Sequence, residues 1–217
     1  MEMNNKSSKA IRYLRNTIEE WNCSSSHFRC SNLIDDMKCI ELFARKGDWH
    51  TKELFKDSKD ITLLEVDKNY LEDLKSNFPH AEIYQTDSVD WTSKIKSKKY
   101  DIVSIDNPLG CYGKYCENFE IIHNIHNLLA NDSVLLVNIV PRPYDTGFGI
   151  PLDWDTRRCR FYNVVNSNNL DFKTILKTYT DILNSNGIEV KDYEYICREY
   201  ANGLDYFYYL CLKLKKK

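Results

Sequence analysis

Glycine and proline are scarce in this chain, at seven and five of 217 residues, and no low-complexity tract is present. That excludes a collagen repeat, and with hydrophobic residues at 42% it also excludes a disordered tail or an extended coiled coil. No run approaches the roughly 18 uncharged apolar residues of a membrane span. The opening MEMNNKSSKAIRYLRN lacks the apolar core of a secretion signal, so a cytoplasmic protein with no membrane partner is expected. Neither sign of charge dominates. Thirty Lys and Arg stand against 32 Asp and Glu, a formal net charge of -2, so any nucleic-acid contact must come from a local patch. The eight cysteines are scattered, with no CxxC pair and no dense framework, and reduced, partly buried thiols are expected.

What is present is alternation. Ile11, Leu14, Ile18 and Trp21 recur at helical spacing, so residues 1–37 are expected to form a helical extension packed on a main domain of residues 38–217. From Lys38 onward, CIELF, ITLLEV, EIYQ, YDIVSI and SVLLVNIV are short, β-branched and nearly continuously apolar, as strands buried on both faces of a parallel sheet are. Helical segments are expected between them near 49–56, 70–77, 89–95 and 115–130. Such alternation indicates an α/β, doubly wound sheet. A further helix carries Phe172, Ile175, Leu176, Tyr179, Ile182 and Leu183 on one face and stops at Asn186-Gly187. The segments 188–197 and 205–214 are joined too closely for a crossover helix and should pair antiparallel.

The punctuation is concentrated. Gly110, Gly113, Gly147 and Gly149 with Pro108, Pro141, Pro143 and Pro151 fall within residues 106–151, after the fourth and fifth strands. Open α/β sheets bind ligands at that carboxyl edge. A dinucleotide fold needs several glycines after its first strand so that amides can approach a pyrophosphate. Here the loop Glu41-Leu42-Phe43-Ala44-Arg45-Lys46-Gly47-Asp48-Trp49 has one glycine, and Glu41 would repel a pyrophosphate while accepting a cationic amino group. This disfavours a nicotinamide oxidoreductase and suits a nucleoside that bears an amino acid. The second strand ends in Glu65-Val66-Asp67, where a carboxylate can take both ribose hydroxyls, Glu65 being the first choice. The third ends near Asp87-Ser88, where an acid can accept from an exocyclic adenine amine.

Three acids at the ends of three successive strands, in this order of elements, resemble the class I S-adenosylmethionine-dependent methyltransferases, over about residues 38–214. The resemblance implies a Rossmann-like seven-stranded sheet with its last strand inserted antiparallel, and S-adenosylmethionine as cofactor. Glu41, Phe43, Ala44, Arg45, Gly47 and Trp49 would border the methionine part, Glu65, Val66 and Asp67 the ribose, and Asp87 with Ser88 the adenine. Arg45 stands where the family commonly has glycine. Asp106-Asn107-Pro108 is similar to the first half of the Asn/Asp-Pro-Pro-aromatic motif of enzymes that methylate amine or amide nitrogen. Leu109 and Gly110 stand where its proline and aromatic would be. As residues, Asp106 and Asn107 are acceptors suited to orienting a nucleophile, or else the elements of a plain turn.

Tyr112, Arg142, Tyr144 and Arg157 are the candidate substrate contacts. The run from Trp154 to Tyr162, with Arg157, Arg158 and Arg160, suits a planar or anionic acceptor, although it would equally serve to cover the sheet. Cys23-His27-Cys30 and His123 with His126 have the spacing of ligands, but neither builds a complete set and no metal is expected. The function expected is methyl transfer to a nitrogen or oxygen of a small-molecule or nucleic-acid acceptor. The alternative is a non-catalytic nucleoside-binding or partner module on the same fold.

Overall fold

In a computed structural model, residues 5–23, 34–48, 50–95, 97–107, 109–112, 116–143, 152–198 and 207–217 are described. Seven strands form one sheet: β1 (Lys38–Glu41), β2 (Asp60–Glu65), β3 (Glu82–Gln85), β4 (Tyr100–Ile105), β5 (Leu129–Ile139), β6 (Ile188–Arg198) and β7 (Phe207–Lys216). Their order is β3-β2-β1-β4-β5-β7-β6. The first five run parallel, and β7 lies antiparallel between β5 and β6. The sequence reading of a mostly parallel sheet ending in an antiparallel hairpin therefore holds. The strand order reverses between β1 and β4, so the ends of β1, β2 and β4 open onto one crevice, the switch point where such sheets bind ligands.

The helices are α1 (Asn5–Cys23), α2 (His50–Phe55), α3 (Leu71–Asn77), α4 (Ser88–Lys94), α5 (Leu109–Tyr112), α6 (Glu117–Asn124), α7 (Leu152–Tyr162) and α8 (Phe172–Ser185). Ile11, Leu14 and Ile18 of α1 are buried with Cys39, Leu63, Ile102, Leu136 and Tyr209 of the sheet and Leu54 and Phe55 of α2. The extension thus shares one core with the strands. Arg15 anchors it, donating to the Leu54 carbonyl at 2.7 Å and to Asp35 at 2.8 Å. The opposite face is covered by α4, α6, α7 and α8, where Phe119 stacks on Phe161 at 4.1 Å.

Two expectations are corrected. The helix expected over 115–130 stops at Asn124, is followed by a single tight turn over Ile125–Asn127, and yields to β5 from Leu129. The asparagine-rich segment is a weak helix former, and the Tyr100 amide, donating to the Leu128 carbonyl at 2.8 Å, draws the chain into the sheet. The arginine run is not uniformly a surface either. Arg158 is fully buried on the inner side of α7, where its guanidinium donates to the carbonyls of Cys111, of Val140 at 3.0 Å and of Ser167 at 3.3 Å. It is a strut between the loops after β4 and β5, unavailable to an acceptor. Cys39, Cys111, Cys116 and Cys211 are buried free thiols, and burial pushes Cys111 up to about 12.

Arg158→Met leaves three buried carbonyls without their donor. It is expected to cost about 2–4 kcal/mol in urea unfolding, whereas Arg160→Met, at an exposed position on the same helix, should change stability by less than about 0.5 kcal/mol.

Candidate active site

The loop after β1 is tied down amide by amide. Leu42 N donates to the Ser104 carbonyl of β4 and Ala44 N to the Leu64 carbonyl of β2, each at 3.0 Å. The next amide, of Arg45, reaches the Glu65 carboxylate at 2.7 Å, and the Asp67 amide donates to the other oxygen, also at 2.7 Å. Two backbone amides thus fix the orientation of Glu65, which is 9% exposed, beside a Val66 that is 62% exposed. A charged acceptor next to an exposed apolar side chain at a strand end is a combination that fits the hydroxyls of a ribose and the base attached to it. Asp67 accepts the Asn69 amide at 2.9 Å and the Asn69 side chain at 2.8 Å on one oxygen, Oδ1, whereas each oxygen of Glu65 is fixed by its own amide.

The single glycine and its odd neighbour also have physical reasons. Gly47 sits at φ +65°, and a Cβ there would lie 2.6 Å from Phe78 and 2.9 Å from Leu74, so the end of α3 packs directly on its backbone. Arg45 adopts φ 50°, a left-handed conformation that glycine reaches without strain. Its guanidinium lies over the Tyr70 ring at 5.4 Å. A non-glycine residue thus makes the turn, with its side chain placed on an aromatic ring. Phe43 is half-buried against the core and Ala44 is buried, so both shape the loop.

Asp87 caps α4 by accepting from the Asp90 amide at 2.9 Å. Ser88 is buried and its hydroxyl donates to the Leu42 carbonyl, which makes it a tie between α4 and the β1 loop instead of a group facing the crevice. Trp49, Pro108 and Tyr144, and the side chain of Tyr112, lie outside the described residues. Asn107 accepts at its carbonyl from the Gly110 amide at 3.0 Å and from the Asn118 side chain at 3.3 Å, closing a turn. A Cβ on Gly110 would meet Asn118 Oδ1 at 2.3 Å. This is why no side chain stands where the related motif has an aromatic.

Glu41 differs most from expectation. It is 1% exposed, and its carboxyl is occupied by the Asp106 amide at 3.1 Å, the Phe43 amide and the Ser104 hydroxyl. It positions the ends of β1 and β4 and offers no surface to an amino group. Burial, followed by the charge of Asp106, raises its pKa from an ordinary 4.5 to about 8. Asp106 is itself engaged: the Tyr209 hydroxyl donates to its Oδ2 at 2.9 Å, and His50 Nδ1 lies 3.3 Å from the same oxygen. Sequence reasoning missed both partners. His50 is a lone histidine at the start of α2, and Tyr209 belongs to a tyrosine-rich strand that reads as core.

The candidate substrate contacts divide. Arg142 lines a cavity of about 530 Å³ at the end of β5 with Pro141, Asn169, Phe172 and Tyr208. Arg157 pairs with Glu120 at 2.7 Å and lines a separate cleft of about 500 Å³ between α6, α7 and α8 with Phe161 and Arg160. They do not converge on one site. Among the described residues no group of three or more His, Cys, Asp or Glu side chains is arranged to hold a metal. No helix among them is long and apolar enough to cross a membrane.

The Glu41 shift fixes a pH dependence. Between about pH 4.5 and 8 the folded chain keeps a proton that the unfolded chain has released, so this group's contribution to stability is lost as pH rises through that window. Urea midpoints between pH 5 and 8.5 should therefore fall less steeply for Glu41→Gln than for the native chain. Parallel slopes would contradict the assignment.

No family model matches the chain. A curated relative, the ribosomal RNA small subunit methyltransferase D of Buchnera aphidicola subsp. Acyrthosiphon pisum, is 30% identical over 100 residues, 44% of this chain and 48% of the relative. The chain thus spans about half the length of that relative. Among solved structures, the N-methyltransferase NodS from Bradyrhizobium japonicum superposes with a TM-score of 0.55 at 13% identity, covering 96% of this chain and 98% of that one. The 1,6-didemethyltoxoflavin-N1-methyltransferase of Burkholderia thailandensis, solved with 1,6-didemethyltoxoflavin and S-adenosylhomocysteine, gives 0.57 at 10% identity, covering 96% and 80%. TYW2 from M. jannaschii in complex with AdoMet gives 0.53 at 13%, covering 100% and 79%. The fold of this chain, a seven-stranded, mostly parallel sheet with an antiparallel C-terminal hairpin, is the one these methyltransferase structures share.

Proposed function

We propose that the chain binds S-adenosylmethionine at the carboxyl edge of the sheet and catalyses methyl transfer to a nitrogen or oxygen nucleophile. The observation that carries this reading is Glu65, a carboxylate at the end of β2 held by the Arg45 and Asp67 amides beside the exposed Val66. Both amides leave the carboxylate oxygens further lone pairs, so two ribose hydroxyls can be accepted without displacing them. Val66 offers the apolar surface on which a base packs. The loop from Leu42 to Gly47 would border the methionine part through its backbone, since Glu41 is enclosed. Asp87, whose carboxylate caps α4 at the end of β3, stands where the adenine edge would lie.

When bound, the cofactor supplies a sulfonium-activated methyl group, and displacement at that carbon needs no acid from the protein. The protein's task is then to hold the nucleophile in line, to exclude water and to take the proton that the nucleophile sheds. Asp106 and Asn107 stand at the end of β4, beside the crevice, for this work. The proteins this chain resembles include a ribosomal RNA methyltransferase and, in fold, the 1,6-didemethyltoxoflavin-N1-methyltransferase. Both acceptor classes fit a chain of net charge -2 that keeps an exposed Arg142 beside Phe172 and Tyr208. The turn at Gly110, with no aromatic, is the feature that favours the alternative of a nucleoside-binding module without turnover.

Calorimetric titration of the chain with S-adenosylmethionine and S-adenosylhomocysteine, with NAD as control, separates the readings. Micromolar affinity for the first two, about -8 kcal/mol, is expected, with none for NAD. Glu65→Ala should weaken binding about 10- to 100-fold, the value of charge-assisted hydrogen bonds to a carboxylate. Unchanged binding in Glu65→Ala would overturn the ribose assignment. Binding in a chain that transfers no labelled methyl group to RNA, protein or metabolite extracts would favour the module.

A further inference from the structure

The end of β4 carries a buried polar cluster that cofactor binding alone does not require. His50, the first residue of α2, is 5% exposed, and its Nδ1 lies 3.3 Å from Asp106 Oδ2. Tyr209 of β7 donates its hydroxyl to that same oxygen at 2.9 Å, and the His50 and Tyr209 rings meet edge to face at 5.8 Å. Asn138 of β5 is the register partner of Tyr209 and shares its face of the sheet. It is fully buried, and neither its amide nitrogen nor its amide oxygen has a hydrogen-bond partner. Four elements of the fold thus bring a carboxylate, an imidazole, a phenol and an unsatisfied carboxamide to the place where methyl transfer would occur. Apolar side chains would fill this volume at lower cost in desolvation.

We propose that His50 and Tyr209 are positioning residues that hold Asp106 as the acceptor of the proton shed by the methyl acceptor, which is therefore an N–H or O–H nucleophile. This rests on the reading above. In the transfer, the nucleophile's lone pair forms the new bond to the methyl carbon while the carbon–sulfur electron pair returns to sulfur. The proton released from the nucleophile passes to the Asp106 carboxylate, and His50, in contact with that carboxylate, takes it on. Tyr209 fixes the carboxylate so that it does not swing away when its charge changes. Glu41, kept largely neutral by burial up to about pH 8, leaves Asp106 as the charged carboxylate of the two. The other charged groups near α2 are committed elsewhere. Arg15 of α1 pairs with Asp35 and the Leu54 carbonyl, and Lys52 and Glu53 of α2 are exposed.

The arrangement has a signature in binding that needs no acceptor. S-adenosylmethionine and S-adenosylhomocysteine differ by the methyl group and one positive charge. A protonated His50 neutralises Asp106, whereas a neutral His50 leaves one negative charge facing the sulfonium. The preference for S-adenosylmethionine over S-adenosylhomocysteine should therefore be about three- to tenfold greater with His50 neutral than with His50 protonated, a difference read between pH 5.5 and 8.5. The sulfonium lowers the pKa of the ligand's own amino group, a difference that the His50→Gln variant carries equally, so the rise is read relative to that variant. Titrating the full chain by calorimetry with both ligands across that range, in a Glu41→Gln background that removes the titration of Glu41 near pH 8, is expected to give this rise with His50 in place and to lose it when His50→Gln is added. Tyr209→Phe, which deletes one hydroxyl, strengthens the hold of Asp106 on the His50 proton and should move the midpoint to higher pH. A ratio independent of pH with His50 in place, or a rise that persists unchanged in both His50→Gln and Tyr209→Phe, would overturn the proposal while leaving the cofactor reading intact. Absence of binding by both ligands would instead overturn the cofactor reading, and this inference with it.

Discussion

One enclosed carboxyl organises the edge of the sheet on which everything else depends. Glu41 ends β1 with its oxygens turned inward, where they meet the amides of Phe43 and Asp106 and the hydroxyl of Ser104. From that point the chain crosses the sheet in register, with Leu42 against Ser104, Ala44 against Leu64 and Arg45 against Glu65. The same few bonds therefore aim two acids that are far apart in sequence. Glu65 is presented on one side of the crevice and Asp106 on the other. A carboxyl that stays mostly neutral at physiological pH does this without adding a second buried charge beside Asp106.

The same loop holds its path with a single glycine. Where the backbone must turn left-handed, Arg45 turns it and rests its guanidinium on Tyr70; where a helix must approach closely, Gly47 allows it. The cost of the strained arginine is of order 1 kcal/mol, which a cation–π contact and a charge-assisted bond to Glu65 offset in part. The loop is thereby fixed by specific side chains and not by backbone permissiveness alone.

The architecture was legible because parallel strands buried on both faces leave continuous apolar runs, and because strand-end acids fall at fixed places relative to those runs. The place of Glu65 at the end of β2 was legible for that reason. Glu41 was found but given the wrong orientation, since sequence locates a carboxyl at a strand end without saying which way it turns. Ser88, expected beside the adenine, is tied to the Leu42 carbonyl, and Arg158, expected in a run that faces an acceptor or covers the sheet, is tied to three buried carbonyls. His50 and Tyr209 were illegible because their partnership with Asp106 spans 56 and 103 residues of chain, and that of Tyr209 exists only once β7 has inserted beside β5.

The most direct measurement of the central claim is a crystal structure of the chain with S-adenosylhomocysteine. The account expects both ribose hydroxyls on the Glu65 carboxylate with the Arg45 and Asp67 amides still in place, the base against Val66, and the sulfur directed toward the end of β4, at Asp106. A nucleoside bound elsewhere, or bound at this edge with Glu65 making no contact to the ribose, would contradict it.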